Sequence, residues 1–289
     1  MINNKTYTKI LATALLVETT IIIIGAIYFL PLLGKDKTIP VKNDSYFYYI
    51  FNVEEVLEET SAMDVSPSPY WWVNSGGYIS IANNVGSTPS AKESLGSKWQ
   101  VLYQNNNPTD TDGGLYPQNL FRMITKSRWL DFQQEAYFKI KEYNLSPSSN
   151  RNLSNGLFLL TRYEDEDNTY YTGLRVDGNA IVKKKVAGEY FTLAEKKFWE
   201  GNVYDREENP IVLPKNVWIG IKSEVRNIAP NKVMIEMFVD IGKTGTWTSV
   251  MEVLDDGTIG GNTLSNKGFA GIRTDFMDVE FSDYLNVEI

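Results

Sequence analysis

Thr169-Tyr-Tyr-Thr-Gly-Leu-Arg-Val-Asp-Gly-Asn-Ala-Ile-Val-Lys-Lys-Lys-Val186 decides the fold class, because two short runs of alternating residues meet at Val176-Asp-Gly-Asn179. Asp-Gly between alternating runs signals a β-hairpin, since glycine accepts the positive φ that a tight turn imposes. The same two-residue period recurs at 137–143, 157–163, 217–226, 233–239, 246–254 and 279–288. Gly, Asn, Asp and Pro punctuate these runs, and Leu254-Asp-Asp-Gly257 and Val186-Ala-Gly188 repeat the turn chemistry. Many short strands joined by hairpins predict an all-β sandwich or barrel, and of these we take a two-sheet antiparallel sandwich as the expected fold. Residues 105–117, rich in Asn, Asp and Gly and without periodicity, read as a long loop that serves either as filler or as a functional segment.

Upstream of the alternating region lies an apolar run at 10–33. At 1.5 Å per helical residue, about 24 residues suffice to cross a hydrocarbon core of about 30 Å. A secretory signal would need an apolar stretch of only about 7–15 residues before a small-residue cleavage site. Ile21-Ile-Ile-Ile-Gly25-Ala-Ile-Tyr-Phe-Leu30 offers no clear site of that kind. The chain therefore divides into a short tail at 1–9, a single transmembrane helix at 10–33, a polar linker at 34–45 and a β domain at 46–289. Lys5 and Lys9 before the run are balanced by Lys35, Lys37 and Lys42 after it, so short-range charge does not set the orientation. Glu18 sits inside the run, where a carboxylate is costly unless it is protonated, near an interface or paired.

Composition removes several classes of function. Across 289 residues there is no histidine and no cysteine. Imidazole bases, Ser-His-Asp and Cys-His arrangements and His- or Cys-ligated metals are thereby excluded, leaving only oxygen ligands for a metal. A net charge of -8 disfavours nucleic acid as a partner, because phosphate neutralisation needs a basic footprint.

Strand parity assigns the faces. At 217–226, Val217, Ile219, Ile221 and Val225 point to the core, and Trp218, Lys222, Glu224 and Arg226 share the opposite face. At 137–143, Phe138 and Ile140 point inward, leaving Tyr137, Lys139, Lys141 and Tyr143 outside. The same reading places Tyr171 and Arg175 outside at 169–176 and Lys183 and Lys185 outside at 180–186. If these faces line one sheet, they form a cationic groove with Tyr171 and Trp218 as stacking platforms, suited to sugar rings and uronate carboxylates.

Gly156-Leu-Phe-Leu-Leu-Thr-Arg162, Tyr170-Tyr-Thr-Gly-Leu-Arg175-Val-Asp-Gly178 and Gly268-Phe-Ala-Gly271-Ile-Arg273, followed by Asp278-Val-Glu-Phe-Ser-Asp283-Tyr-Leu-Asn-Val287, resemble the concanavalin A-like lectin/glucanase superfamily. The resemblance covers roughly 46–289 and includes laminin-G-like modules. It implies a jelly roll whose concave sheet binds glycans, and it adds Arg162 to the carbohydrate-binding set. It also implies a structural calcium held by Asp283 with Glu54 or Glu55. An extracytoplasmic domain on a single-pass cell-membrane protein is the location that fits.

The expected function is that of a membrane-anchored, lectin-like domain that binds a polysaccharide or cell-surface glycan, with acidic polysaccharides favoured. Two other readings stand beside it. A Tyr-dependent polysaccharide lyase of the same fold is suggested by Tyr137-Phe-Lys-Ile-Lys-Glu-Tyr143 and Ser223-Glu-Val-Arg226, which resemble alginate-lyase motifs in reversed order and without the histidine of the Gln-x-His motif. The E-x-D-x-x-E pattern of the glucanases is missing: Phe276-Met-Asp278-Val-Glu280 lacks its first glutamate, and Glu164-Asp-Glu-Asp167 falls at a turn. A pilin-like or adhesive surface subunit is suggested by Glu18 early in an apolar helix, although Thr13 stands where the processing glycine is expected.

Overall fold

The computed structural model describes residues 41–43 and 45–289. The expected tail and transmembrane segment, and all but the end of the expected linker, lie outside the described residues. Among the described residues no helix is long and apolar enough to cross a membrane.

Seventeen strands run in chain order as β1 (Val41–Asn43), β2 (Tyr46–Tyr49), β3 (Glu55–Glu58), β4 (Trp71–Ser75), β5 (Tyr78–Ala82), β6 (Val85–Ser87), β7 (Arg122–Trp129), β8 (Phe132–Tyr143), β9 (Gly156–Asp165), β10 (Asn168–Arg175), β11 (Asn179–Val186), β12 (Glu189–Lys197), β13 (Trp218–Ala229), β14 (Lys232–Ile241), β15 (Thr248–Asp255), β16 (Gly268–Thr274) and β17 (Met277–Glu288). They form two antiparallel sheets. A ten-stranded sheet follows the order β15-β14-β13-β8-β17-β6-β5-β3, with β2 also on β17 and β1 on β2. A seven-stranded sheet follows β12-β11-β10-β9-β16-β7-β4. The all-β, two-sheet expectation therefore holds for the described residues. Among the described residues one α-helix, α1 (Lys98–Asn106), enters the segment read as a loop, its first turn capped by the Ser97 hydroxyl accepting from the Gln100 amide, and a short 3-10 turn at Pro117–Leu120 follows it.

The decisive hairpin forms as read, one residue longer than a two-residue turn. β10 and β11 stay in register to Leu174↔Ala180, and Gly178 takes a φ of +82 at the end of the loop. This is the arrangement of a type I turn closed by a left-handed glycine.

Parity holds along most of both sheets; it fails at Tyr143, read as outward, which joins the core beyond a register shift between β8 and β17. Leu157 and Leu159 of β9, Met123 of β7 and Ile272 of β16 meet Phe138 and Ile140 of β8, Ile219 and Ile221 of β13, and Val279 and Phe281 of β17 in one apolar core. Trp71 packs edge-on to Tyr284 at 4.7 Å at one corner of that core. Burial of such side chains contributes about 1.5–3 kcal/mol each before entropy is counted.

The middle lysine of Lys183-Lys184-Lys185 points into this interior, as alternation requires. Lys184 donates to Asp255 at 3.0 Å and to the Gly261 carbonyl at 2.8 Å. The Tyr170 hydroxyl also donates to Asp255, at 2.6 Å, and accepts from the Leu264 amide at 3.0 Å. Both members of the pair are buried, so removing one strands the other without water. Lys184→Ala is expected to lose about 3–5 kcal/mol of unfolding free energy, whereas Lys184→Met combined with Asp255→Leu recovers much of it. Denaturant unfolding of the full chain in detergent measures this, and a Lys184→Ala loss no larger than that of the exposed Lys197→Ala would contradict it.

Candidate saccharide-binding face

The two sheets turn their outer faces in opposite directions, and this divides the residues read from the sequence. Trp218, Lys222, Glu224 and Arg226 lie on β13 in the ten-stranded sheet, while Tyr171, Arg175, Lys183 and Lys185 lie on β10 and β11 in the seven-stranded sheet. They do not share one groove. Parity fixes which way a side chain points from its own sheet but not which sheet its strand joins.

On the ten-stranded sheet the charges satisfy one another. Arg226 pairs with Glu224, Lys222 lies 3.7 Å from Glu135 and 4.8 Å from the Trp247 ring, and Lys139 pairs with Glu280. Trp218 is covered by Lys139 at 4.4 Å and Lys243 at 5.2 Å. The Tyr137 hydroxyl donates to Asp240 at 2.8 Å, and burial together with that carboxylate holds it protonated well above the ordinary phenol range. Deprotonating it as a lyase base would place a second negative charge against Asp240. Ser223 of the other lyase-like motif points into the interior, where it donates to Thr172.

The metal expectation meets a similar obstacle. Asp283 accepts from the Tyr48 hydroxyl at 2.9 Å and pairs with Lys243 at 2.5 Å, so an ammonium and a phenol hold the oxygens that calcium would need. Glu54 is exposed, and Glu55 accepts from the Tyr49 hydroxyl at 3.2 Å. No group of three or more carboxylates able to hold a metal occurs among the described residues. The residues present do not fit a calcium at Asp283.

The outer face of the seven-stranded sheet is organised differently. Register aligns Trp72, Ile124, Gly271, Leu160, Tyr171 and Lys183 in one row across the strands. In the next row stand Arg122, Arg273, Phe158, Gly173 and Ile181. Gly173 and Gly271 leave no room for a Cβ, which would come within 2.0 Å of the Leu157 carbonyl and 2.5 Å of the Met123 carbonyl respectively. Ile124, Phe158, Leu160, Tyr163, Tyr171 and Ile181 form a second apolar cluster here, almost without exposure although it lies outside the main core.

Met63, Trp72 and Phe269 pack against this cluster, and the tip of the β9–β10 hairpin comes over the same face. Arg122 lies in the row of Phe158, five residues or roughly 16 Å of extended strand before Tyr163. Yet its guanidinium is 5.6 Å from the Tyr163 ring centroid, Asn74 donates to the Tyr163 hydroxyl at 3.3 Å, and Glu166 approaches Arg122 at 3.7 Å. β9 therefore bends, and its tip leans over the outer face. The bend falls at Arg162, whose φ is +51.

That bend corrects the reading of Arg162 as a sugar contact. Its side chain turns inward with no exposure and donates to the Leu130 and Leu264 carbonyls and to Asn227 at 3.1, 2.9 and 2.6 Å, beside Asp131 at 3.1 Å. Tyr171 is likewise no platform, being 1% exposed beneath Lys183 and Arg273. Arg175 is held by Asp177 and Glu195, and Lys185 by Asp167 at 3.2 Å.

Lys183 is the exception. Its ammonium lies 4.6 Å from the Phe158 ring and 5.5 Å from those of Tyr171 and Tyr190, with no carboxylate or hydrogen-bond partner among the described residues. Burial lowers its pKa to about 8, with Asp275 opposing the shift and Arg273 and Arg175 adding to it. Arg273 stands nearby, donating to Asp275 at 2.8 Å and to the Tyr171 hydroxyl at 3.5 Å. Tyr190, half exposed, is the aromatic ring of this group that reaches solvent. The result is a desolvated cation beside an accessible ring, over an apolar floor.

Sequence reading placed Lys183 and Lys185 on the correct face and missed Arg122, Arg273, Asn74 and Tyr190. Arg273 stood within a quoted motif, and Tyr190 within Glu189-Tyr-Phe-Thr-Leu, where a strand period was available.

No protein-family profile matches the chain, and no curated protein matches it in sequence. Solved structures resemble it in overall architecture. The carbohydrate-binding module CBM66 from Bacillus subtilis aligns at 13% identity with a TM-score of 0.46, over 75% of this chain and 95% of that one. A protein of unknown function with a galectin-like fold, also from Bacillus subtilis, aligns at 11% and 0.45, over 86% and 98%. The Ca2+- and mannose-bound exoplasmic/lumenal domain of VIP36 aligns at 9% and 0.42, over 81% and 89%. No residue role follows from similarity at this level.

A lysine whose charged form is penalised by burial should titrate at about pH 8 in the folded chain, against about 10.4 when unfolded. Between those values the unfolded state binds more protons, so stability should rise with pH across that window, and the rise should vanish in Lys183→Met. NMR titration of the lysine side chain and denaturant unfolding at pH 7.5 and 9.5 measure both effects. A Lys183 pKa above 10 would contradict this.

Proposed function

We propose that the chain is a membrane-anchored, extracytoplasmic, lectin-like domain that binds acidic saccharides through the outer face of its seven-stranded sheet. The observation that carries the proposal is Lys183, a half-buried ammonium with three aromatic neighbours and no counter-ion among the described residues. Leaving a cation desolvated and unpaired costs stability, and a ligand carboxylate or sulfate removes that cost when it docks. Tyr190 offers a ring for the apolar face of a sugar, and Arg273 and Arg122 extend the positive surface along the neighbouring row. Residues 10–33 serve as the anchor in this proposal, and the acidic glycan is the partner outside the membrane. The proposed role is binding, and the chain has no histidine to serve as an imidazole catalyst.

Titration calorimetry of the full chain in detergent with a tetra-uronate and a neutral tetra-glucan tests this. Uronate affinity is expected to fall as salt rises and to fall again as pH passes about 8, where Lys183 loses its proton. Lys183→Met should weaken uronate binding about tenfold or more, the loss of one charge-assisted hydrogen bond, while Lys183→Arg keeps binding and removes the step near pH 8. Equal affinity for the neutral glucan, or full affinity in Lys183→Met, would overturn the proposal.

A further inference from the structure

The cations of this face fall into two groups according to how their carboxylates are held. Arg273 and Arg175 are locked by partners with little exposure, Asp275 and Asp177, which sit two residues away on the same chain segments. Arg122 and Lys185 are different. Both are largely buried themselves, with side chains 11% and 14% exposed, but their acidic partners Glu166 and Asp167 are 73% and 55% exposed. Both partners come from one place, the hairpin tip that leans over the face.

The tip has a division of labour. Asp165 builds the turn, accepting from the Asp167 amide and from the Asn168 side chain at 2.9 Å each. Glu166 and Asp167 instead point their carboxylates at face cations on opposite sides, Arg122 on β7 and Lys185 on β11. Lys185 is also tied to the Glu166 carbonyl at 2.8 Å, which keeps the tip in place whether or not its carboxylates are engaged. Exposed carboxylates hold a cation weakly, about 0–1 kcal/mol per pair.

Resting on the function proposed above, we propose that Glu166 and Asp167 are the charge-selectivity determinants of the face, standing as internal carboxylates on Arg122 and Lys185 so that a ligand gains those cations only by bringing acidic groups of its own. A neutral saccharide, or one with a single acidic group, meets Lys183 alone. A polyacidic chain displaces the two internal carboxylates and engages cations on both sides of the tip.

The experiment compares three versions of the full chain in detergent: wild type, Glu166→Gln with Asp167→Asn, and a charge-matched control, Glu236→Gln with Glu252→Gln, on the ten-stranded sheet. The probes are a tetra-uronate, a mono-uronate and a neutral tetra-glucan. Thermal midpoints check that folding is kept, as the exposure of Glu166, Asp167 and Glu252 and the 3.8 Å separation of the half-buried Glu236 from Arg226 lead one to expect. The tip variant should bind the tetra-uronate more tightly, by up to about fivefold for each carboxylate removed, with a steeper salt dependence, bind the mono-uronate more tightly as well, and leave the neutral glucan unchanged. The control should match wild type. An equal gain in the control would reduce the effect to net charge and overturn the inference. Unchanged or weaker uronate binding in the tip variant would overturn it while leaving the face as the binding site. Absence of uronate binding in all three would overturn both proposals.

Discussion

A guanidinium sealed from water at a bend in β9 sets the geometry on which the outer face depends. Arg162 adopts a left-handed backbone conformation that a side-chain-bearing residue occupies only when its surroundings compensate. The compensation is visible in the two carbonyls, one amide oxygen and one carboxylate gathered around it. Gly268 lies so close to this bend that a Cβ there would come within 2.4 Å of the Arg162 carbonyl carbon. With β9 turned at this point, the hairpin tip comes over the sheet, Tyr163 seals the second apolar cluster, and Glu166 and Asp167 reach the cations. A straight β9 would carry Tyr163 away from Arg122 and Asn74.

Burial of the outer face is what gives its charges distinct properties. Three adjacent lysines on one strand show the range. Lys184 is interior and matched by a buried carboxylate, Lys185 is matched by an exposed one, and Lys183 is matched by none among the described residues. On an ordinary wet sheet these differences would be blurred by solvent screening. Between aromatic rings they become differences in readiness to accept an anion, and at Lys183 burial also lowers the pKa. The ten-stranded sheet carries a comparable supply of lysine, tryptophan and tyrosine, but its cations are mutually compensated and its Trp218 ring is already covered, so an anion there would have to break ion pairs to bind.

The fold class was legible because the alternating strands of a two-sheet sandwich write their period directly into the chain, and the Asp177-Gly178 turn announced itself. Side-chain direction was legible for the same reason over most strands, down to the inward Lys184, but not at Tyr143, where β8 shifts register against β17 and the ring joins the core. Sheet membership was not, because a strand reads identically whichever sheet it joins, and so residues of β13 and of β10–β11 were drawn into one groove. Arg162 was misread because a bulge inverts parity at one residue and leaves no local trace in composition. Arg122 escaped because β7 is buried on both parities in its middle and shows no clean alternation. The tip's hold on two cations depends on strands far apart in sequence, which no local pattern encodes.

The account stands or falls on which outer face meets the ligand. Reversing one charge on each sheet, Lys183→Glu and Lys222→Glu, and measuring tetra-uronate affinity of the full chain under identical salt addresses this directly. The account predicts a loss of more than about tenfold for Lys183→Glu, the scale of one charge-assisted hydrogen bond, and affinity within about twofold of wild type for Lys222→Glu, whose partner lies on the opposite sheet from the ligand. The reverse pattern, or an equal loss in both variants, would contradict it.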